Sequence, residues 1–117
     1  MWVFLNNSFL SIVQKPGQKD SLTVRARIRG DIERVFPGAG VSENTGTDYK
    51  FRAVVDRKEI AKALSENIMN LTASNFKASV SDPDRHDAYY KVWCAMNNYQ
   101  RESESGKNSQ RRRLHSF

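Results

Sequence analysis

The residues best suited to chemistry crowd into one short stretch of this chain. His86 stands between Asp84 and Asp87, with Tyr89, Tyr90 and Cys94 close behind. A thiol, an imidazole and carboxylates are the parts of a nucleophile pair or a general acid–base pair. Spacing argues against both. On one helix His86 and Cys94 lie about 12 Å apart along the axis, too far to share a proton. His86 and Tyr90 are one turn apart and can touch. In a first helical turn His86 reads more simply as an exposed polar residue. Cys94, beside Trp93 on an inward stripe, reads as a small buried hydrophobe.

Other chemistries have less support. One Cys and two His exclude an internal disulfide and an ordinary structural zinc site. Gly38-Ala39-Gly40 is a lone Gly-x-Gly after a short helix, without the further Gly or Lys of a phosphate loop. Paired carboxylates, a His-Glu-x-x-His run and a nucleophile elbow are all missing from the sequence. We therefore assign no catalytic, cofactor-binding or metal-binding residues. An enzyme stays the third reading, and it requires a pocket joining His86 to Asp48 or Glu59.

Positive charge is the other candidate. Arg25, Arg27 and Arg29 alternate along one segment, and Lys50 and Arg52 along another. If both segments are strands of one sheet, the five share a face that can hold phosphates or an acidic protein surface. The plainer reading is a solvated face, with arginine stems covering the apolar surface beneath. Aromatic stacking partners would favour nucleic acid. Phe9, or Trp2 with Phe4, reaches that face in one register, but register is not legible here and these rings read more simply as core. A second cluster, Arg111, Arg112 and Arg113, lies near the C-terminus and can add nonspecific nucleic-acid affinity. Asn75, Phe76, Lys77, Tyr89, Tyr90 and Tyr99 form a possible protein-binding patch, or equally a core edge.

The elements that must position these residues follow from periodicity and turn chemistry. The chain has 117 residues and a net charge of +6, half of it in residues 101–117. That tail has almost nothing to bury and reads as disordered and basic. Residues 1–100 read as a single α+β domain. Residues 2–5 and 9–15 are rich in aromatic and branched side chains and read as a hairpin, with Asn6-Asn7 supplying positive φ. Pro16-Gly17 marks a turn. Residues 22–29 alternate, with Leu22, Val24, Ala26 and Ile28 on one face. Asp31 caps a short helix carrying Ile32, Val35 and Phe36 inward. Residues 39–48 read as a loop, and 49–55 alternate again, with Tyr49, Phe51, Ala53 and Val55 together.

Asp56 and Glu59 open a helix with Ile60, Leu64, Ile68 and Leu71 on one stripe. Phe76 and Val80 suggest a further turn. Asp82-Pro83 opens a last helix with Tyr89, Val92, Trp93, Met96 and Tyr99 at core spacing, ending near Gln100. We expect a mostly antiparallel four-stranded sheet with helices on one face, a ferredoxin-like variant. No apolar run approaches a membrane span, so the expected setting is the cytoplasm, without membrane contact.

Several motifs in this order resemble a known group. These are Met1-Trp2, the segment Phe9-Leu10-Ser11-Ile12-Val13-Gln14-Lys15-Pro16-Gly17, Arg25-Ala26-Arg27, Thr47-Asp48-Tyr49 with Arg52-Ala53, Asn75-Phe76-Lys77, and Tyr90 with Val92-Trp93. The chain resembles a group of short, uncharacterised bacterial proteins that begin Met-Trp and carry a similar Ser-Ile-Val-Gln-Lys-Pro-Gly segment. The resemblance covers roughly residues 1–100 and implies a bacterial or phage origin but no activity. The tail departs from it. The leading expectation is thus a small non-catalytic binding or regulatory protein working through protein–protein contacts, as monomer or homodimer. The alternative is a nucleic-acid-binding protein using Arg25, Arg27, Arg29, Lys50 and Arg52 with the tail.

Overall fold

The computed structural model describes residues 1–106. Arg111, Arg112 and Arg113 lie outside them. The described chain forms two compact units, the first Met1–Ser79 and the second beginning at Val80.

The first unit is an antiparallel sheet with helices packed on one face. Its strands are β1 (Trp2–Phe4), β2 (Phe9–Val13), β3 (Ser21–Ala26), β4 (Ser42–Glu43) and β5 (Phe51–Asp56), in spatial order β1-β2-β3-β5-β4. Its helices are α1 (Asp31–Val35) and α2 (Arg57–Met69). The sheet has five strands rather than four, because Ser42 and Glu43 inside the expected loop pair with Arg52 and Phe51. The element order also differs from the strand–helix–strand–strand–helix–strand order of the ferredoxin-like sandwich.

Register explains the core. Val24 sits opposite Ile12 on one side and Ala53 on the other, while Leu22 faces Val55 and Ala26 faces Phe51. With Leu10, these side chains meet Ile32 and Phe36 of the α1 segment and Ile60 of α2 in one cluster. Fully burying a side chain such as Leu10, Val24 or Ile32 contributes about 2 kcal/mol. Helix α2 starts where Asp56 accepts a hydrogen bond from the Lys58 N–H. Its apolar stripe is shorter than the spacing predicts: Ile60, Ala63 and Leu64 reach the core, but Ile68 and Leu71 are exposed.

Turn chemistry is partly as read. Gly17 has φ of 84° and the Gln18 N–H donates to the Lys15 carbonyl, a turn with Pro and Gly at its two centres. The first hairpin differs. No described non-glycine residue has positive φ, and the Leu5 N–H donates to the Ser8 carbonyl across a four-residue loop. The third strand stops at Ala26, not Arg29. Gly30 turns the chain at φ of 93°, the Asp31 N–H donates to the Ile28 carbonyl, and Ile28 is left exposed. Gly30, not Asp31, occupies the cap position of α1.

Asp31 instead becomes a buried carboxylate. It accepts from the Phe9 N–H at 3.0 Å and from the Arg34 guanidinium, whose Nε donates to the Asn7 carbonyl. This ties α1 to the turn between β1 and β2.

The second unit is built on α3 (Pro83–Glu104), capped where the Asp82 carboxylate accepts from the Arg85 N–H. The helix runs past Gln100 because no breaker intervenes before Gly106, which takes φ of 76° just beyond the Ser105 cap. Tyr89 is buried, but Val92, Trp93, Met96 and Tyr99 are exposed, against the core role their spacing predicts. No helix among the described residues is long and apolar enough to cross a membrane.

Replacing Asp31 by Ala leaves the Phe9 N–H and the Arg34 guanidinium without their buried acceptor. Urea denaturation of Asp31→Ala should show a loss of about 3 kcal/mol. A loss within ~0.5 kcal/mol of wild type would show that the carboxylate does not anchor α1.

Candidate functional site

The face of the sheet opposite α1 and α2 carries a single row of side chains across all five strands. Trp2 pairs with Ser11, Ser11 with Arg25, Arg25 with Arg52, and Arg52 with Ser42. Neighbouring strands lie about 4.8 Å apart, so Trp2 stands about 10 Å from Arg25. Residues two apart along a strand share a face, which places Phe4 and Phe9 beside this row. The Phe9 ring meets Trp2 edge-on at 6.2 Å and Phe4 at 4.6 Å. Trp2 is 68% exposed, while Phe4 and Phe9 are half-buried. The rings read as core from sequence are thus on the arginine side.

Arg25 and Arg52 are directly opposed like charges, an arrangement that costs stability unless neighbours absorb it. Arg25 donates to the Ser11 hydroxyl at 2.7 Å and Arg52 reaches the Tyr49 carbonyl at 3.5 Å. Neither makes a salt bridge to a carboxylate among the described residues. The Nε atoms of both are buried and unbonded.

Tyr49 is central to the site and sits where sequence did not place it. The fifth strand begins at Phe51, and the preceding bend turns the Tyr49 ring from the core to the arginines. Arg25 lies 4.4 Å and Arg27 4.1 Å from its centre, contacts worth about 1 kcal/mol each. Tyr49 is 4% exposed as a result. Its burial among guanidiniums has no period-2 signal, so pattern reading assigns it to the wrong face.

The structure divides the five expected basic residues. Arg25 and Arg52 lie on the strand face, with Arg27 beside them over Tyr49 and paired to Asp48 at 3.0 Å. Arg29 and Lys50 turn to the other side. Both meet Glu43, at 2.9 and 3.6 Å, and both lie over Phe51, a core residue. Asp48 and Glu43 therefore pair with three of the five charges, while Arg25, attracted by Asp48 at longer range, and Arg52 carry no salt bridge among the described residues.

His86 is exposed. Cys94 is half-buried and bonds Tyr90, one turn earlier, which raises the Tyr90 hydroxyl above its ordinary 10.0. No cluster of three or more metal-ligating side chains occurs among the described residues. Comparison of the chain with protein-family models, curated proteins and solved structures gives no match.

The hydrogen bond from Arg27 holds the Asp48 carboxyl below its ordinary 3.8, and that from Arg29 holds Glu43 below 4.5. A carboxyl lowered on folding adds stability above its unfolded value, and loses it as pH falls through the folded one. NMR titration should place both midpoints below those ordinary values. Arg27→Ala should raise the Asp48 midpoint and leave that of Glu43. An unmoved Asp48 midpoint would show that the pair does not form in solution.

Proposed function

We propose that the chain is a non-catalytic binding protein whose arginine-bearing sheet face takes nucleic acid. One observation carries this reading: a single register row joins exposed Trp2 to Arg25 and Arg52. Phosphates supply the negative charge that two opposed arginines lack, and guanidinium forks match phosphate geometry. Aromatic rings on the same face supply a surface for bases. A solvated face needs only the arginines and gains nothing from exposing Trp2. The chain's net charge of +6 favours encounter with a polyanion. The single Cys suits a reducing compartment, and we place the protein in the cytoplasm.

A second reading keeps a protein partner as the target. It is favoured by α3, where Tyr90, Trp93 and Met96 are exposed and the Tyr90 and Trp93 rings stack at 6.1 Å. It holds if Trp93→Ala with Met96→Ala removes a partner that an arginine variant retains.

The nucleic-acid reading is tested by fluorescence anisotropy of labelled DNA and RNA with the full chain across a salt series. Affinity should fall steeply with salt, and Arg25→Gln with Arg52→Gln should weaken binding by roughly tenfold or more at 0.1 M salt. No binding at the lowest salt removes this reading. Binding that the double variant leaves unchanged removes the sheet face as its seat.

A further inference from the structure

The geometry points to an unpaired strand as the ligand of this face, with a phosphate held between Arg25 and Arg52 and a base stacked on Trp2. This deepens the proposed nucleic-acid reading and rests on it.

Three features separate a single strand from a duplex. First, the aromatic group is a platform. Phe9 meets Trp2 edge-on and is itself backed by Phe4, and Trp2 stays 68% exposed on the outermost strand β1. A base offers its π-face only when it is unstacked from its neighbours, as in single strands, loops and ends. Second, the face is a sheet surface. Duplex grooves are read by an inserted helix or two-stranded ribbon, and the described side chains here lie along a five-strand row instead. Third, the cationic centre is narrow. Arg25 and Arg52 are one strand spacing apart, about 5 Å. That spacing lets two forks close on one phosphate. Arg27, which would widen the charge, is engaged by Asp48, and Arg29 and Lys50 lie on the other side with Glu43.

The buried, unbonded Nε atoms of Arg25 and Arg52 sharpen the point. Burying a charged group without full hydrogen bonding costs stability. An anion on the face does not reach those Nε atoms, but bridging the two opposed guanidiniums offsets the repulsion between them. Trp2 lies about 10 Å along the same row, so one strand meets both groups at once.

The test uses the full chain with a labelled 12-nucleotide oligothymidylate, the oligouridylate of the same length, and a 12-base-pair duplex. The single strands should bind at least about tenfold more tightly than the duplex. Trp2→Ala should cost about tenfold on single strands and little on the duplex. Arg25→Gln with Arg52→Gln should lower the slope of log affinity against log salt by about 0.7 on single strands, the value for one phosphate. Trp93→Phe leaves Trp2 as the only tryptophan, and its fluorescence should quench on saturation with oligothymidylate. Quenching checks the stack in a chain whose sheet residues are all native. Oligouridylate binding above oligothymidylate marks RNA as the source, and the reverse marks DNA. Either supports the proposal. Equal binding of strand and duplex with no effect of Trp2→Ala overturns it, yet leaves nucleic-acid binding standing. Absence of binding to all three probes overturns both.

Discussion

A buried carboxylate organises the first unit. Asp31 lies fully out of water, and its two oxygens reach the Phe9 N–H and the Arg34 guanidinium. A buried charge is tolerable only when paired and hydrogen-bonded. Here the pairing joins elements far apart in sequence. Arg34 also holds the Asn7 carbonyl, so the β1–β2 turn and α1 are fixed to each other. That contact seats Ile32 and Phe36 against β2, β3 and β5 and commits one sheet face to the core. The opposite face is then left for Ser11, Arg25 and Arg52 together with the Trp2, Phe4 and Phe9 rings.

On that opposite face the controlling fact is a repulsion. Arg25 and Arg52 face each other across β3 and β5. The fold moderates this with a hydroxyl, a carbonyl and a tyrosine ring, and with the nearby Asp48 carboxylate, which attracts Arg25 without forming a salt bridge to it. Asp48 and Glu43, by contrast, engage Arg27, Arg29 and Lys50 nearby. Charge is thus paired around the row and only partly offset on it, and the proposed phosphate site rests on that pattern. The Trp2, Phe4 and Phe9 rings share that face with the two guanidiniums.

The same reasoning weakens the chemical reading of the last helix. A nucleophile needs a base within hydrogen-bond reach. Cys94 lies one turn from Tyr90 and raises the Tyr90 hydroxyl above its ordinary 10.0. His86 stands exposed at the helix start. Trp93, Met96 and Tyr99 give α3 an exposed, largely apolar surface.

Local signals settled much of the framework. Alternation marked the strands around residues 22–26 and 51–55, Asp56 and Asp82-Pro83 marked helix starts, and Pro16-Gly17 marked a turn. Each depends on neighbours within a few residues, so the order of residues alone determines it. The face of Tyr49, the end of β3 at Ala26 and the short strand β4 depend on pairing between distant segments. Period-2 alternation tells which residues share a face of one strand. It does not tell how one strand is shifted against the next, and a shift of one residue moves every side chain to the other face. Composition and alternation therefore determined that arginines would line one side of a strand. Only the tertiary register decided that two of them would stand opposed, in line with an exposed tryptophan.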